Sequence, residues 1–330
     1  MENIEKGRLS EERRKEISQM VFDINPEELS KCNIQELLFA HFTTVHCKGK
    51  HKETDKEYAY FEAREKMFYK NIVSIVKNTD VIYTVYSTAT NHPFVSQYGA
   101  WIFSEEGFAN NCVTYMEENE GISLTVKAMD TEDFVLFCAN LYRIGVSLII
   151  LDNGEISIQF KKTDFIPDPE PVTKEGAIAP VINPELQYYL LNYCQLYAQS
   201  QKRKVDPRFI KVTESKICQI IKTAKFLTPV IVDKQALEQS QDSSTLPKGV
   251  HVQFPVLTQE DMGNYIPLYT DINEYNLGTL DIGKYTTAIY PYETLKNMDI
   301  KNIAGFVINP FGVNMVLTVD AFKELGDSKE

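Results

Sequence analysis

Three of the five histidines fall in one stretch, His41, His46 and His51, with Cys47 among them. Imidazoles and a thiolate are ligands that zinc prefers, so metal binding is the first chemistry to weigh. The spacing argues against it. His41 and His46 do not share a helix face and His46 adjoins Cys47, whereas structural sites use Cys-x-x-Cys or His-x-x-x-His pairs. The stretch reads as a lysine-rich solvated loop after a helix, and no metal or other cofactor is expected. A second chemistry would pair His92, in Asn91-His92-Pro93, with Cys112 as base and nucleophile. Nothing in the sequence brings the two together, and they read as a loop histidine and a structural cysteine. No Gly-x-Ser-x-Gly elbow, His-Glu-x-x-His, Walker loop or Gly-x-Gly-x-x-Gly is present, so no catalytic residue is assigned.

Two aromatic features remain. Leu186, Leu190, Tyr193 and Tyr197 form a helical stripe that reads as core packing, with Lys202-Arg203-Lys204 complementing the negative end of the helix. The turn Asn309-Pro310-Phe311-Gly312 has an aromatic at its tip. Asn309 can bond its own backbone two residues on, Pro310 fixes φ, and Gly312 can take positive φ. Phe311 then either folds back onto the sheet or stands exposed as an anchor for a partner or small ligand, sharing a groove with Tyr269. The candidate interaction residues are Trp101, Phe103, Tyr269, Asn309, Pro310, Phe311 and Gly312.

These residues need elements to position them. Ser10 followed by charged helix formers predicts a helix to about residue 20, and a second helix is expected over 28–42. A long amphipathic helix is expected over 57–77, with Phe61, Phe68, Ile72, Ile75 and Val76 near one face. Strand patterns follow at 81–86, 100–104 and 122–126. Thr131 opens a helix that Gly145 ends, and Asp152-Asn153-Gly154 joins two apolar runs as a hairpin. Five prolines between 165 and 184 mark an extended linker.

After the linker the same grammar returns. Ile72 to Lys77 matches Ile217 to Lys222, and Val81 to Val85 matches Phe226 to Val230. The second copy inserts a polar loop around 239–248; then Phe103-Ser104 matches Tyr269-Thr270, and Ile144-Gly145-Val146 matches Ile303-Ala304-Gly305. Each copy then turns with a glycine, Gly154 or Gly312, before a last strand. Blocks recurring in one order point to an internal repeat. Trp101 against Pro267 shows how far the copies have diverged.

Within the second copy, Asn264-Tyr265-Ile266-Pro267-Leu268-Tyr269-Thr270-Asp271 resembles a block of the SseB (enhanced serine sensitivity protein) family. Ile308-Asn309-Pro310-Phe311-Gly312 resembles that family's Asn-Pro-Gly turn, and Lys225 to Val230 its upstream strand. The first copy matches more loosely, through Trp101 to Glu106. The resemblance implies an α/β module of undefined biochemical role and brings no catalytic residues with it.

The expected fold is therefore α+β. Two tandem modules, each a mixed sheet with helices packed on it, follow a helical N-terminal extension. The boundaries are 1–56 for the extension, 57–163 for the first SseB-like module, 164–184 for the linker and 185–330 for the second. The 330 residues, 43% of them hydrophobic, suffice for two cores. A net charge of −12 disfavours nucleic acid and anionic membrane surfaces as partners. No apolar run is long enough to span a bilayer, no secretory signal opens the chain, and the scattered cysteines read as reduced thiols, so a cytoplasmic protein is expected. The expected function is non-enzymatic: a binding or regulatory protein acting through a protein partner or a small metabolite. The alternative is an enzyme whose site is assembled from scattered residues.

Overall fold

The computed structural model describes residues 9–23, 26–97, 99–154, 156–170, 180–232, 252–259, 263–278 and 285–325. Contacts divide the chain into two compact units. The first comprises residues 1–88, 93–142 and 146–168; the second comprises 89–92, 143–145 and 169–330. The inserted loop at 239–248 and the middle of the proline-rich linker lie outside the described residues.

The first unit opens with α1 (Glu11–Met20), α2 (Pro26–Leu29), α3 (Ile34–Lys48) and α4 (Lys56–Asn78). Ser10 caps α1 by accepting from the Arg13 N–H, and Asn33 with Glu36 closes a capping box on α3. Phe61, Phe68, Ile72 and Val76, one stripe of α4, are buried. Then follow β1 (Ile82–Ser87), β2 (His92–Pro93), β3 (Val95–Ser96), β4 (Gly99–Phe103), α5 (Glu106–Tyr115), β5 (Leu124–Met129), α6 (Thr131–Arg143), β6 (Leu148–Leu151) and β7 (Ile158–Lys161), of which His92, the first residue of β2, and Arg143, the last of α6, fall in the second unit. The sheet runs β1-β4-β6-β7, with β5 on β1 and β3 on β4. β4 and β6 are parallel, whereas β1–β4, β1–β5, β3–β4 and β6–β7 are antiparallel, so the sheet is mixed. α5 continues into a single π-turn at Met116–Glu120. Gly145 takes a φ of +73°, as expected of a glycine past a helix end.

The second unit contains α7 (Pro184–Lys202), α8 (Pro207–Ile220), β8 (Lys225–Val232), β9 (Val252–Gln253), β10 (Leu257–Gln259), β11 (Gly263–Leu268), α9 (Ile272–Asn276), β12 (Thr286–Pro291), α10 (Tyr292–Lys296), β13 (Gly305–Ile308), β14 (Met315–Thr318) and α11 (Val319–Leu325). Its strands repeat the pairings of the first unit. β12 lies antiparallel on β8 as β5 does on β1. β11 and β13 are parallel as β4 and β6 are, and β13–β14 is a hairpin as β6–β7 is. β10 pairs with β11 as β3 does with β4. The Leu227–Tyr269 bridge stands where Tyr83 meets Phe103. The chain is thus α+β, built from two sheet-and-helix modules with the same order of pairings, continuous as one sheet in the first unit and divided in the second into a four-stranded and a three-stranded sheet that meet at the Leu227–Tyr269 bridge.

The polar pins repeat as well. The Thr84 hydroxyl donates to the Trp101 carbonyl at 2.7 Å, and the Thr228 hydroxyl to the Pro267 carbonyl at 2.9 Å. Asp152 (φ +56°) accepts from the Ser104 N–H at 2.8 Å; Asn309 (φ +48°) accepts from the Thr270 N–H at 2.9 Å. A glutamine from the helix that opens each unit's main helical pair completes the pin. Gln35 donates to Asp152 at 2.6 Å, and Asn309 donates to Gln187 at 2.7 Å. A carboxylate can only accept, whereas an amide offers both roles, so the glutamine presents its N–H in one unit and its carbonyl in the other.

These pins correct three expectations. Helix α3 is the counterpart of α7, so the stretch 1–56 is not merely an extension: its last helix belongs to the first module. The expected match of Val81 to Val85 with Phe226 to Val230 sets Ile82 against Leu227. The pairings set Tyr83 there instead, a register shift of one residue. A one-residue slip exchanges the two faces of a strand. Likewise Gly145 corresponds to Asn302 (φ +61°), not Ala304, because Trp101 pairs with Ile150 where Pro267 pairs with Val307.

Candidate functional site

The second unit buries a group of charges that sequence reasoning did not single out. Asp271 caps α9, accepting from the N–H groups of Asn273 and Glu274. The Arg143 guanidinium donates to Asp271 at 2.7 Å and to Glu274 Oε1 at 2.9 Å. His92 Nε2 lies 2.7 Å from the same Glu274 oxygen, and its Nδ1 lies 2.7 Å from the Thr90 carbonyl. Gln187 also donates to Glu274 Oε1, at 3.0 Å. Burial alone would raise Glu274, but His92 and Arg143 outweigh it and hold the carboxyl below its ordinary range. Burial also opposes the Arg143 charge; Asp271 and Glu274 more than offset it and keep the proton on more firmly than usual. Glu274 Oε2 is buried without a hydrogen bond and faces Gly312, where any Cβ would strike it.

An imidazole oriented by a carboxylate is half of an acid–base relay. Here the whole group is sealed: Glu274 is 1% exposed and His92 4%. The one hydroxyl bonded to it among the described residues, Thr270, is itself fully buried and hydrogen-bonded to Asp271 and Gln187, and the cluster ties α9 to Arg143, His92 and Gln187. Another perturbed carboxyl is Asp152, pushed up to about 6 by burial against the Ser104 and Gln35 hydrogen bonds. Its counterpart in the other unit is the neutral Asn309, which keeps the same pin without a titrating group.

Two open features stand out among the described residues: a polar hollow of about 460 Å³ at the N-terminal helices, lined by Arg13, Glu16, Asp23, Glu28 and Lys31 among others, and an apolar groove of about 140 Å³ on the second unit's sheet, lined by Leu257, Thr258, Tyr265, Val307, Pro310, Phe311, Asn314 and Val316. Strand register builds its floor: Pro267, Val307 and Val316 stand side by side, and Leu257 pairs with Tyr265. The turn builds its rim. The Asn309 carbonyl accepts from the Gly312 and Asn314 N–H groups, both at 2.9 Å. Phe311 remains 42% exposed, with its ring against Gly278.

The sequence candidates divide between core and surface. Trp101, Phe103 and Tyr269 are buried. Trp101 packs edge-on to Phe94, and Tyr269 edge-on to Tyr275. Phe311 therefore shares its groove with Tyr265, not Tyr269: the first tyrosine lines the groove while the second is spent on its contact with Tyr275. Asn309 turns its side chain inward to Thr270 and Gln187 and does not bond the turn. Gly312 does not carry the positive φ; Asn309 and Asn314 do, and Gly312 is needed for its close approach to Glu274. Pro310 and Phe311 reach the groove as expected of an exposed tip.

His41 tilts against Tyr69 and His51 stacks on Phe61, so each ring is engaged with an aromatic neighbour. Among the described residues no three His, Cys, Asp or Glu side chains are placed to hold a metal ion. His92 is a buried hydrogen-bonded residue, not a loop histidine. Cys112 packs against the first unit's core with its thiol pushed up to about 12 by burial. The Leu186–Tyr197 stripe is core at Leu186 and Leu190 and emerges at Tyr197. No helix among the described residues is long and apolar enough to cross a membrane. Comparison of the chain with family models, with curated proteins and with solved structures found no match.

Proposed function

We propose that the chain is a non-enzymatic binding protein with a regulatory role, whose second unit takes an apolar segment of a protein partner in the groove beside Phe311. The observation that carries this reading is the exposure of Phe311 and Val316 on a rigidly built turn and strand, at 42% and 37%. Single exposed apolar residues are ordinary; two that flank a groove with a floor of Val307 and Tyr265 form an anchor pocket. The groove is smaller than the roughly 300–1,000 Å³ of ordinary small-molecule sites, which favours side chains of a protein over a metabolite. The enzyme alternative loses ground because the two carboxyls at the polar centres of the units, Asp152 and Glu274, are buried away from any substrate. The resemblance of Asn264 to Asp271 and of Ile308 to Gly312 to the SseB family supports a non-catalytic module. Six free cysteines support a reducing compartment, and the reading takes the protein to be cytoplasmic.

Photo-crosslinking tests the reading. A photoreactive residue at Val316 in the full chain should give a discrete protein adduct in lysate that Phe311→Ala abolishes. The same residue at Leu136, exposed on the first unit, should not give that adduct. Identical adducts from both positions, unaffected by Phe311→Ala, would overturn it.

A further inference from the structure

The two hairpins that close the modules differ at their outer edges. Among the described residues, β7 and β14 each end the path of their sheet, bonded on one side to β6 or β13. An edge strand offers unpaired backbone groups, and proteins commonly protect it with charge. β7 does so: its outward residues are Gln159 and Lys161. The register makes Val316 and Thr318 their counterparts on β14, since Ile150 pairs with Gln159 where Val307 pairs with Val316. Lysine and glutamine have given way to valine and threonine, two residues that favour strands, so β14 lacks the protection its twin retains. The unprotected edge borders the groove, because Val316 and Asn314 line it.

Resting on the binding role of the groove, we propose that the partner adds to β14 as an extended strand. Its backbone pairs with Met315–Thr318, and one apolar side chain enters between Phe311, Tyr265 and Val307. Main-chain pairing supplies affinity in such complexes and alternate side chains supply selectivity. The described lining of the groove carries no charged residue, so the inserted side chain is apolar. The chain's net charge of −12 repels a second copy of itself and attracts basic flanks. The occupant is therefore an extended apolar segment of another protein with lysine or arginine on either side.

The probe is a set of short capped peptides with valine, isoleucine, leucine or phenylalanine at alternate positions, threonine between them and a lysine at each end. The full chain is titrated with each peptide and with a version N-methylated along one edge, which keeps the side chains but removes the donors. The expected result is binding that N-methylation weakens by about tenfold or more, as loss of one or two backbone hydrogen bonds implies. Hydrogen exchange should slow at Met315 to Thr318 in the complex and stay unchanged at Ile158 to Lys161. Equal binding of both versions, abolished by Phe311→Ala, would overturn strand addition and leave the groove reading intact. No binding of any peptide at millimolar concentration would overturn both. Concentration-dependent dimerisation through β14, seen by sedimentation, would name a second copy as occupant and also overturn the proposal.

Discussion

One sheet face, built twice, has two fates. In the first unit the row that starts at Trp101 and Ile150 lies under α5. Val85, Phe94, Phe103, Phe108 and Met116 close it into a continuous core, and the row ends on the polar Gln159. In the second unit the same row reads Pro267–Val307–Val316, and the helix that follows the central strand shrinks to α9, Ile272–Asn276. At the position of Phe108, four residues after Ser104, the second unit has Glu274, four after Thr270. Where the first unit seats its helix with an aromatic, the second seats it with an ion cluster, and the far end of the row opens into the groove. Among the described residues the scaffold is kept while its cover is smaller, and the part of the face left open is the one proposed above to bind.

The comparison can be broken most forcefully at the two seats. Arg143→Met leaves Asp271 and Glu274 buried without their guanidinium and should cost roughly 3–5 kcal/mol of stability in urea denaturation. Phe108→Ala should cost a similar amount, roughly 3–5 kcal/mol, by opening a cavity under α5. A negligible loss in Arg143→Met would mean that the charged cluster does not seat α9.

A smaller effect sharpens the polar pins. Burial holds Asp152 at about 6, above the ordinary unfolded value of about 3.9. Between those values the folded chain keeps a proton that the unfolded chain has lost, so stability should fall as pH rises from about 4 to about 6. Asp152→Asn installs the residue that Asn309 represents in the other unit. It should remove that dependence and stabilise the first unit at neutral pH by on the order of 2 kcal/mol. The only tryptophan, Trp101, lies in the first unit's core, so its fluorescence reports this unit separately. An unchanged pH profile would contradict the assignment.

The smallest effects are expected at the groove. Gly278→Ala places a methyl against the Phe311 ring and should cost about 1 kcal/mol while displacing that ring. Phe311→Ala should change stability by less than about 1 kcal/mol, because the ring is only partly buried, yet it should abolish partner binding. A melting point lowered by many degrees with binding intact would make Phe311 a core plug.

Much of this architecture is legible in the residues. Ser10, Gly145 and the Asp152–Gly154 turn announce their elements through local backbone chemistry, which tertiary contacts do not override. The repeat is legible because apolar periodicity survives divergence. Its register is not, since a one-residue change in the connection before β1 or β8 leaves both alternations intact while exchanging faces. Helix α9 has a signal in Asp271-Ile272-Asn273-Glu274, a capping pattern. The inward turn of Glu274 has none: its partners His92 and Arg143 lie 182 and 131 residues away.

The most direct test of the opened face is hydroxyl-radical footprinting of the full chain, free and bound to its partner or to the best peptide. Free, Phe311 should be oxidised and Trp101 should not, although the indole is intrinsically the more reactive ring. On binding, Phe311 and Val316 should become protected and the first unit should be unchanged. Protection elsewhere with Phe311 still oxidised, or a readily oxidised Trp101 in the native chain, would contradict the account.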